Sequence, residues 1–506
     1  MSLIAAPDLA AFTPVYDSGL PQLVWLRIVA DTETPVGAML KLARPGEGAF
    51  LLESVEGGAV RGRYSLLGLD PDLVWRATGD CSEVNRRWQI DRAAFEPCAG
   101  GTLDNLRALV AACRMAVPPE LPPALSVFVG YMGYETAHLT EPRVAAAGHD
   151  PLGLPDLLFV RPALLLVFDR LKDELFFVAP VFPDNGDAAA AHARAVERIE
   201  TAAARLAQPV PTPARVPIDL PDGERREILP PGRYAEMVAA AQAYISAGDI
   251  FQVVLAQRFT VDFPLPPLDL YRALRRINPS PFLYYLDLPG FALIGSSPEI
   301  LVRVRDGDVT IRPIAGTRPR GRDAVEDAAL KAELLADPKE LAEHLMLLDL
   351  GRHDTGRVAA PGSVTVTDRF GVEFYSHVMH IVSNVRGRLK DGCDSIDALL
   401  SGFPAGTVSG APKVRAMEII RELEPEKRGA YAGGVGYFSP DGSMDSCIVL
   451  RTAVVKDGVM HVQAGAGIVA DSVAASEQAE CEAKAGALIA AAREALRRAG
   501  DAYYGQ

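Results

Sequence analysis

The fold is decided by residues 431–472, which read YAGGVGYFSPDGSMDSCIVLRTAVVKDGVMHVQAGAGIVADS. Short apolar runs bounded by turn residues predict three consecutive strands in it, at 434–438, 445–455 and 459–468. A helix predicted at about 473–497 follows them. Strands that succeed one another through short turns, with few long crossovers, favour the α+β class.

The same pattern extends upstream through most of the chain. Further strands are predicted at 49–53, 62–68, 126–131, 157–168, 174–181, 250–259, 282–287, 291–295, 299–304, 308–312, 363–367, 373–375 and 380–388. Helices are predicted at about 103–115, 187–207, 232–247, 267–277, 325–350 and 412–423. Leu341, Leu345 and Leu348 have helical spacing and are expected to form the buried stripe of the helix at 325–350.

One proline-rich stretch interrupts these elements. Residues 208–231 read QPVPTPARVPIDLPDGERREILPP, and proline removes backbone donors and disfavours helix in the residue before it. This stretch is therefore interpreted as a linker. It divides the chain into an N-terminal region, 1–207, and a C-terminal domain, 232–495.

Composition and charge exclude several classes of function. The 506 residues hold 51 Lys plus Arg and 65 Asp plus Glu, so the formal net charge is 51 − 65 = −14. An acidic chain is a poor binder of nucleic acid or of anionic membrane, and no apolar run reaches the ~18 residues of a membrane span. The six cysteines form no CxxC pair, and the start lacks the features of a secretory signal, so a cytoplasmic protein with reduced thiols is expected.

Two predicted helices carry acidic residues at helical spacing. Glu340 and Glu343 lie on one face of the first, and Glu477, Glu480 and Lys484 lie on one face of the last. Mg²⁺ in proteins takes one or two carboxylates together with water and substrate oxygens. The two helices are therefore candidates to hold a divalent cation, although a solvated acidic face would show the same spacing.

Glycine-rich stretches and a few polar residues form a second pattern. The stretches lie at 315–321, 404–410, 433–436 and 464–467, and glycine lets backbone N–H groups approach an anion closely. They match neither a P-loop nor a Rossmann fingerprint, and each alone is also compatible with a tight turn. Arg451, Lys484 and Tyr431 could hold a small dianionic substrate beside them. His380 is a candidate acid or base, with His377 as its competitor and a structural histidine as the alternative.

Seven strings in this order resemble the chorismate-utilising enzymes and, among them, the component I family of anthranilate synthases. The strings are PIAGTRPRG (313–321), KELAEHLMLLDL (339–350), VMHIVSNVRG (378–387), GTVSGAPKVRAMEII (406–420), YAGGVGYF (431–438), CIVLRTA (447–453) and QAGAGIVADS (463–472). The resemblance covers most of 230–490 and extends to LLES (51–54), GRYSLLG (62–68) and FVGYMGYE (128–135). It implies layered, β-sandwich-like antiparallel sheets flanked by helices, and a Mg²⁺-dependent carbon–oxygen lyase that acts on chorismate.

The resemblance also implies a role for each matching residue. Glu343 and Glu480 would bind Mg²⁺, Glu340 would protonate the departing 4-hydroxyl, and His380 would assist pyruvate elimination with Thr407 lining the ring. Chorismate itself would be held by Gly316, Thr317, Tyr431, Arg451, Gly465, Ala466, Gly467 and Lys484. One departure is His353, where the family usually has an asparagine.

Two positions bear on which chorismate enzyme this is. Gln252 stands where family members that add water carry a lysine base, so ammonia is the expected nucleophile. Ala315 stands where common aminodeoxychorismate synthases carry a nucleophilic lysine, which favours 2-amination followed by loss of pyruvate. Three alternatives stay open: an aminodeoxychorismate synthase component I, a 2-amino-2-deoxyisochorismate synthase, and a catalytically silent tryptophan-binding regulatory subunit.

The resemblance finally implies a partner and an inhibitor. The chain contains no glutamine amidotransferase part, so a separate glutaminase subunit is expected to supply ammonia, in an α₂β₂ heterotetramer. Feedback inhibition of tryptophan biosynthesis by L-tryptophan is expected as well. Its site would consist of Glu53, Ser54, Pro281, Phe282, Leu283 and Cys447, with the Glu53 carboxylate and the Ser54 hydroxyl holding the α-amino group.

Overall fold

The structure is a computed structural model that describes residues 4–56, 60–144, 148–184, 186–211, 221–375 and 378–499. Its α-helices are α1 (Leu9–Asp17), α2 (Pro35–Leu42), α3 (Thr102–Ala112), α4 (Ala188–Leu206), α5 (Arg233–Ser246), α6 (Pro267–Ile277), α7 (Ala324–Ala336), α8 (Pro338–Val358), α9 (Ser395–Ser401), α10 (Lys413–Leu423) and α11 (Ala474–Ala499). Two short 3₁₀ helices occupy Tyr134–Leu139 and Gly406–Val408. No helix in these ranges is long and apolar enough to cross a membrane.

The strands fall on both sides of the proline-rich stretch. Those before it are β1 (Gln22–Val29), β2 (Phe50–Glu53), β3 (Val55–Glu56), β4 (Val60–Arg61), β5 (Tyr64–Thr78), β6 (Cys81–Asn85), β7 (Glu96–Pro97), β8 (Phe128–Met132), β9 (Leu157–Asp169) and β10 (Glu174–Val181). Those after it are β11 (Arg226–Glu227), β12 (Gln252–Asp262), β13 (Phe282–Leu288), β14 (Phe291–Ser297), β15 (Ile300–Arg305), β16 (Asp308–Ile311), β17 (Ile314–Pro319), β18 (Thr365–Phe374), β19 (Val378–Arg388), β20 (Gly410–Ala411), β21 (Gly434–Phe438), β22 (Met444–Ile448), β23 (Thr452–Lys456) and β24 (Val459–Ile468).

One antiparallel sheet network branches at the long pair β5–β9. One arm continues from β5 through β2, β13, β14, β23 and β24 to β12. The other continues from β9 through β8, β21, β22, β15 and β16 to β19, which pairs with both β17 and β18. The apolar side chains of both arms form the main core, and α11 covers β24 while packing on α6. The expected α+β class, with antiparallel sheets flanked by helices, is confirmed.

Both arms contain strands from before and after residues 208–231. Leu283 of β13 pairs with Glu53 of β2, and Val435 of β21 pairs with Tyr131 of β8. Residues 212–220 of the expected linker lie outside the described part of the chain. The boundaries 1–207, 208–231 and 232–495 therefore stay a prediction.

The helix predicted at 325–350 is wrong as a single element. It is two helices, because Asp337 precedes Pro338 and adopts an extended backbone, the conformation favoured before proline. The Asp337 carboxylate then caps α8 by accepting from the N–H groups of Lys339 and Glu340. The buried face of α8 contains His344, Leu347 and Leu348, whereas Leu345 is 50% exposed, so the predicted stripe was only partly correct.

Three other predictions about strands need correction. The strand predicted at 445–455 is interrupted at Arg451, whose φ of 48° cannot continue a strand. The pieces predicted at 363–367 and 373–375 belong to one strand, β18. The glycine-rich segments at 315–321, 433–436 and 464–467 lie largely in strands β17, β21 and β24, not in tight turns.

Candidate active site

Glycines in β24 make room for two side chains of the candidate site. A β-carbon added at Gly467 would lie 2.4 Å from Nε2 of Gln252, the first residue of β12. One added at Gly465 would lie 2.8 Å from the hydroxyl of Tyr431 and 2.9 Å from a backbone carbonyl of β12. Glycine is required at both positions because neighbouring backbone and side-chain atoms approach too closely for a β-carbon. In the sequence, the only sign of this was the high number of glycines.

Acidic residues of α8 and α11 lie near enough to one another for their charges to interact. Burial raises the pKa of Glu343, the negative charges of Glu340 and Glu480 raise it further, and a hydrogen bond from Gln252 opposes the rise. Mutual repulsion of this kind is relieved by a bound cation. In the described residues no three His, Cys, Asp or Glu side chains could hold a metal ion alone. Two carboxylates completed by substrate and water oxygens are nevertheless what Mg²⁺ commonly uses, so the residues fit that ion.

Lys484 and Glu340 already have charged or polar partners inside the protein. Lys484 donates from Nζ to Glu480 Oε1 at 2.7 Å and to the Gly465 carbonyl at 2.9 Å. Glu340 Oε1 accepts from Arg318 Nη1 at 3.1 Å, while its Oε2 would lie 3.1 Å from a β-carbon added at Gly316. Both residues therefore lie at the site, but neither is a free acid or base there.

His380 is held in one orientation by its Nδ1 atom. This atom lies 3.1 Å from the Gly316 carbonyl and 3.0 Å from Thr317 Oγ1, and a carbonyl can only accept, so Nδ1 carries the proton. Burial lowers the pKa of His380 to about 4. The imidazole is thus neutral near pH 7, with Nε2 left as an acceptor. Its competitor His377 lies outside the described residues.

The structure adds one carboxyl group that sequence reasoning missed. Glu299 lies between β14 and β15, is 8% exposed, and accepts a hydrogen bond from Thr407 Oγ1 at 3.1 Å. Burial raises its pKa to about 8, against the opposing effects of Thr407, Arg451 and Lys484. Glu299 therefore keeps its proton at neutral pH. The only signal in the sequence was an acidic residue, SSPE, at the start of an apolar strand.

Arg451 is a half-buried cation without a carboxylate partner among the described residues. Burial lowers the pKa of its guanidinium, whereas Tyr375 and Glu299 nearby raise it. It forms no ion pair with any residue in the described ranges, and its backbone has the unusual φ of 48°. A half-buried guanidinium without an ion pair, on a backbone with positive φ, is a candidate binder of a substrate carboxylate.

The other residues predicted for the site differ in their exposure and in what they contact. Thr317 is exposed beside His380, and Tyr431 is buried next to Gly465. Ala466 is fully buried and pairs with Leu255, so only its backbone is near the site. His353 is exposed on α8, away from any bond to these groups.

A large cavity of about 1020 Å³ lies between the two arms of the sheet. All six residues predicted for the inhibitor line it: Glu53, Ser54, Pro281, Phe282, Leu283 and Cys447. At its other end it reaches Tyr375, whose ring lies 5.4 Å from that of His380 in an edge-to-face arrangement. The cavity thus extends to the wall of the catalytic site.

The Glu53 carboxylate in this cavity is fully engaged by the protein. Its Oε1 accepts from Arg170 at 2.6 Å and from Arg275 at 3.0 Å, and its Oε2 accepts from Tyr271 at 2.6 Å and from Arg275 at 3.0 Å. The expectation that Glu53 holds an α-amino group does not fit this geometry. Ser54 is half-buried at the cavity wall and is the freer of the two polar groups.

Comparison with known proteins agrees with this arrangement of residues. A family model described as chorismate binding enzyme matches residues 76–490. The chain is 52% identical over 495 residues to anthranilate synthase component 1 of Cereibacter sphaeroides, covering 97% of this chain and 99% of that protein. The crystal structure of anthranilate synthase component I from Streptococcus pneumoniae superposes with a TM-score of 0.73 at 36% identity, covering 85% of this chain and 92% of the other.

A second solved structure shows how widely the fold is shared. The menaquinone-specific isochorismate synthase of Escherichia coli gives a TM-score of 0.69 at 20% identity, covering 96% of this chain and 98% of the other, which is a likeness of fold alone. The family model and the extent of the 52% match decide the family. This chain belongs to the chorismate binding enzymes and, among them, to the anthranilate synthase component I family.

Proposed function

We propose that this chain converts chorismate and ammonia to anthranilate, pyruvate and water. A carbon–nitrogen bond forms at C2 of the ring while the 4-hydroxyl departs as water. The enolpyruvyl group then leaves from C3 as pyruvate, and loss of the C2 proton makes the ring aromatic. The reaction is the first committed step towards tryptophan.

The observation that carries this proposal is the environment of Gln252. Its amide hydrogen-bonds to Glu343 and lies against Gly467, at the centre of the candidate site. An amide cannot deprotonate water, and the Lys484 ammonium is occupied by Glu480 and the Gly465 carbonyl. A nucleophile that needs no base for its activation, ammonia, is the one this site favours.

Two groups are suited to move protons in opposite directions. Glu299 keeps a proton at neutral pH and would donate it to the departing 4-hydroxyl group. Such a donor is needed because hydroxide is a poor leaving group. Glu340 is the weaker candidate for that role because it is already ion-paired with Arg318. Neutral His380, with Nε2 free to accept, would remove the C2 proton during elimination.

Substrate and metal binding follow from the remaining charges. Arg451 would hold the enolpyruvyl carboxylate, and Glu343 and Glu480 would hold Mg²⁺. Bound Mg²⁺ would neutralise and orient the ring carboxylate. These contacts would fix the ring between the proton donor and the proton acceptor.

We also propose a separate glutaminase subunit as the source of ammonia, in a heterotetramer. Membership of a component I family supports a second component. All six cysteines lie in described segments and are unpaired thiols, which supports a reducing, cytoplasmic location.

L-tryptophan is proposed as an inhibitor that binds in the cavity between the sheet arms. Pro281, Phe282 and Leu283 provide an apolar wall for indole, and Ser54 provides a hydroxyl for the polar end. The cavity is separate from the acidic residues of α8 and α11, so tryptophan would act by favouring a conformation that binds chorismate poorly.

The decisive test is anthranilate fluorescence from the purified chain with chorismate and Mg²⁺. We expect product with ammonium and none with glutamine until a glutaminase subunit is added. Turnover on glutamine by the chain alone would contradict the two-subunit proposal. Isochorismate or 4-amino-4-deoxychorismate as the main product would contradict the proposed reaction.

The metal assignment is tested by Glu343→Gln, with Glu482→Gln, whose carboxylate pairs with Arg225, as the control on α11. Loss of a hard oxygen ligand should lower activity at least about 100-fold and raise the Mg²⁺ concentration needed for half-maximal rate. Mg²⁺ binding followed by calorimetry should weaken in parallel. Normal turnover by Glu343→Gln at limiting Mg²⁺ would refute the assignment.

A further inference from the structure

A buried arginine contacts the segments that carry several residues of the candidate active site. Arg428 is in the segment between α10 and β21, and its side chain is 1% exposed. It forms a two-bond ion pair with Glu424, from Nε to Oε2 at 2.9 Å and from Nη2 to Oε1 at 2.6 Å. This paired geometry fixes the plane of the guanidinium.

The remaining N–H groups of Arg428 bind two backbone carbonyls from different parts of the chain. Nη1 donates to the carbonyl of Val408 at 2.7 Å, and Nη2 donates to the carbonyl of Val254 at 2.7 Å. Val408 directly follows Thr407, and Val254 lies two residues after Gln252. One guanidinium therefore connects the two segments that carry these site residues.

The pair also extends to a third segment of the site. The Arg428 guanidinium lies over the ring of Tyr431, 5.5 Å from its centre, and over that of Tyr134 at 4.6 Å. Its partner Glu424 accepts a further hydrogen bond from the N–H of Ala256 on β12, at 2.8 Å. The rings and the strand are thus held against the same ion pair.

The backbone around Arg428 is itself fixed from the N-terminal region. Its N–H donates to Glu135 Oε1 at 2.8 Å, and the N–H of Gly429 donates to Glu135 Oε2 at 3.0 Å. The N–H of Tyr134 in turn donates to the Gly429 carbonyl at 2.8 Å. Side chain and backbone of Arg428 are therefore both constrained.

We propose that Arg428 is a positioning residue that sets the relative geometry of Gln252, Thr407 and Tyr431 for the reaction. This inference rests on the proposed function, because those three residues are its proposed site. Rigid support of this kind matters because a displacement of about 1 Å in a site can cost about 100-fold in rate. Lysine cannot replace arginine here, since an ammonium cannot bridge a carboxylate and two carbonyls in one plane.

The chain offers a matched control in Arg258. It lies on β12, its side chain is 7% exposed, and it is ion-paired with Glu426 in the same segment that carries Arg428. Its guanidinium hydrogen-bonds to Glu426 and, among the described residues, to no backbone carbonyl beside Gln252 or Thr407. Arg428→Lys and Arg258→Lys therefore both disturb a buried ion pair, and only the first removes hydrogen bonds to the backbone carbonyls of Val408 and Val254.

The experiment compares both variants, and Arg428→Met, with the parent chain in the ammonium assay, together with thermal unfolding. We expect Arg428→Lys to lower kcat about 10- to 100-fold with a smaller change in KM for chorismate, and Arg258→Lys to change kcat less than about threefold at a similar shift in Tm. Arg428→Met should be no worse in kcat than Arg428→Lys. Both variants lose the planar guanidinium that bridges the two segments, and the inference makes this bridge, not the positive charge, the requirement.

Two results would overturn the inference while the parent chain forms anthranilate normally. One is a loss of kcat that is equal in Arg428→Lys and Arg258→Lys at equal Tm. The other is full activity in Arg428→Lys with loss only in Arg428→Met, which would make positive charge the requirement. A parent chain that forms no anthranilate would instead refute the proposed function.

Discussion

Two buried glutamates, one in each functional region, show opposite designs. Glu53 in the cavity accepts four hydrogen bonds from two arginines and a tyrosine. Glu299 in the catalytic site accepts one, from Thr407, and burial raises its pKa to about 8. The protein therefore satisfies the first carboxylate internally and leaves the second protonated and available.

The same difference holds for the cations of the two regions. In the cavity, Arg303 and Arg305 pair with Asp445, and Arg312 pairs with Glu373. In the catalytic site, the guanidinium of Arg451 has no ion pair among the described residues. The candidate active site therefore keeps charged groups available for the proposed substrate, whereas these charges of the cavity are already matched within the protein.

The largest effect is expected from a substitution of Glu299, the protonated glutamate of the candidate active site. Glu299→Gln removes the proposed proton donor, so kcat for anthranilate should fall about 100- to 10,000-fold. In the parent chain kcat at saturating ammonia should decline as pH rises through about 8, where Glu299 loses its proton. The pH–rate profile of both proteins measures this, and retained activity in the variant would assign the proton to another group.

The same variant should be more stable than the parent at alkaline pH. Between the ordinary glutamate pKa of 4.5 and about 8, the unfolded chain has released a proton that folded Glu299 still binds. Stability of the parent therefore falls as pH rises through this window, and glutamine abolishes that contribution. We expect Tm of Glu299→Gln to exceed that of the parent by about 2–5 °C at pH 8 and by less at pH 5.

The second prediction makes the identical substitution in the cavity. Glu53→Gln removes the carboxylate charge that pairs with Arg170 and Arg275, so the free energy of unfolding should fall by about 3 kcal/mol. Denaturant unfolding measures this change. The two glutamate-to-glutamine variants should thus move stability in opposite directions at pH 8, and a shift of the same sign in both would contradict the comparison.

The smallest effect is expected from a substitution of Ser54, which tests whether the cavity binds tryptophan. Ser54→Phe places a ring at the cavity wall, so tryptophan inhibition should weaken at least about tenfold while uninhibited kcat changes less than about twofold. Titration of tryptophan at several chorismate concentrations measures both. Unchanged inhibition would place the inhibitor elsewhere.

The sequence predicted the fold class and several strand limits for identifiable reasons, and the site residues stay a prediction. Strand alternation predicted β10 and β24 with their observed limits, and the family resemblance paired Glu343 with Glu480, whose charge raises the pKa of Glu343. It missed the break at Pro338, where a local rule on the residue before proline outweighed a long apolar pattern. It also missed Glu299 and misjudged Glu53, because the state of a buried carboxyl depends on partners that are distant along the chain.

The pairing of β2 with β13 and of β8 with β21 has a consequence for biosynthesis of the chain. Val129 of β8 can pair with Tyr437 of β21 only after that residue has been synthesised, roughly 300 residues later. At about 5–20 residues per second this takes about 15–60 s. Until then the nascent N-terminal region presents unpaired strand edges to the ribosome exit and to other chains. Its yield in cells should therefore depend on chaperone capacity during translation more than on the stability of the finished protein.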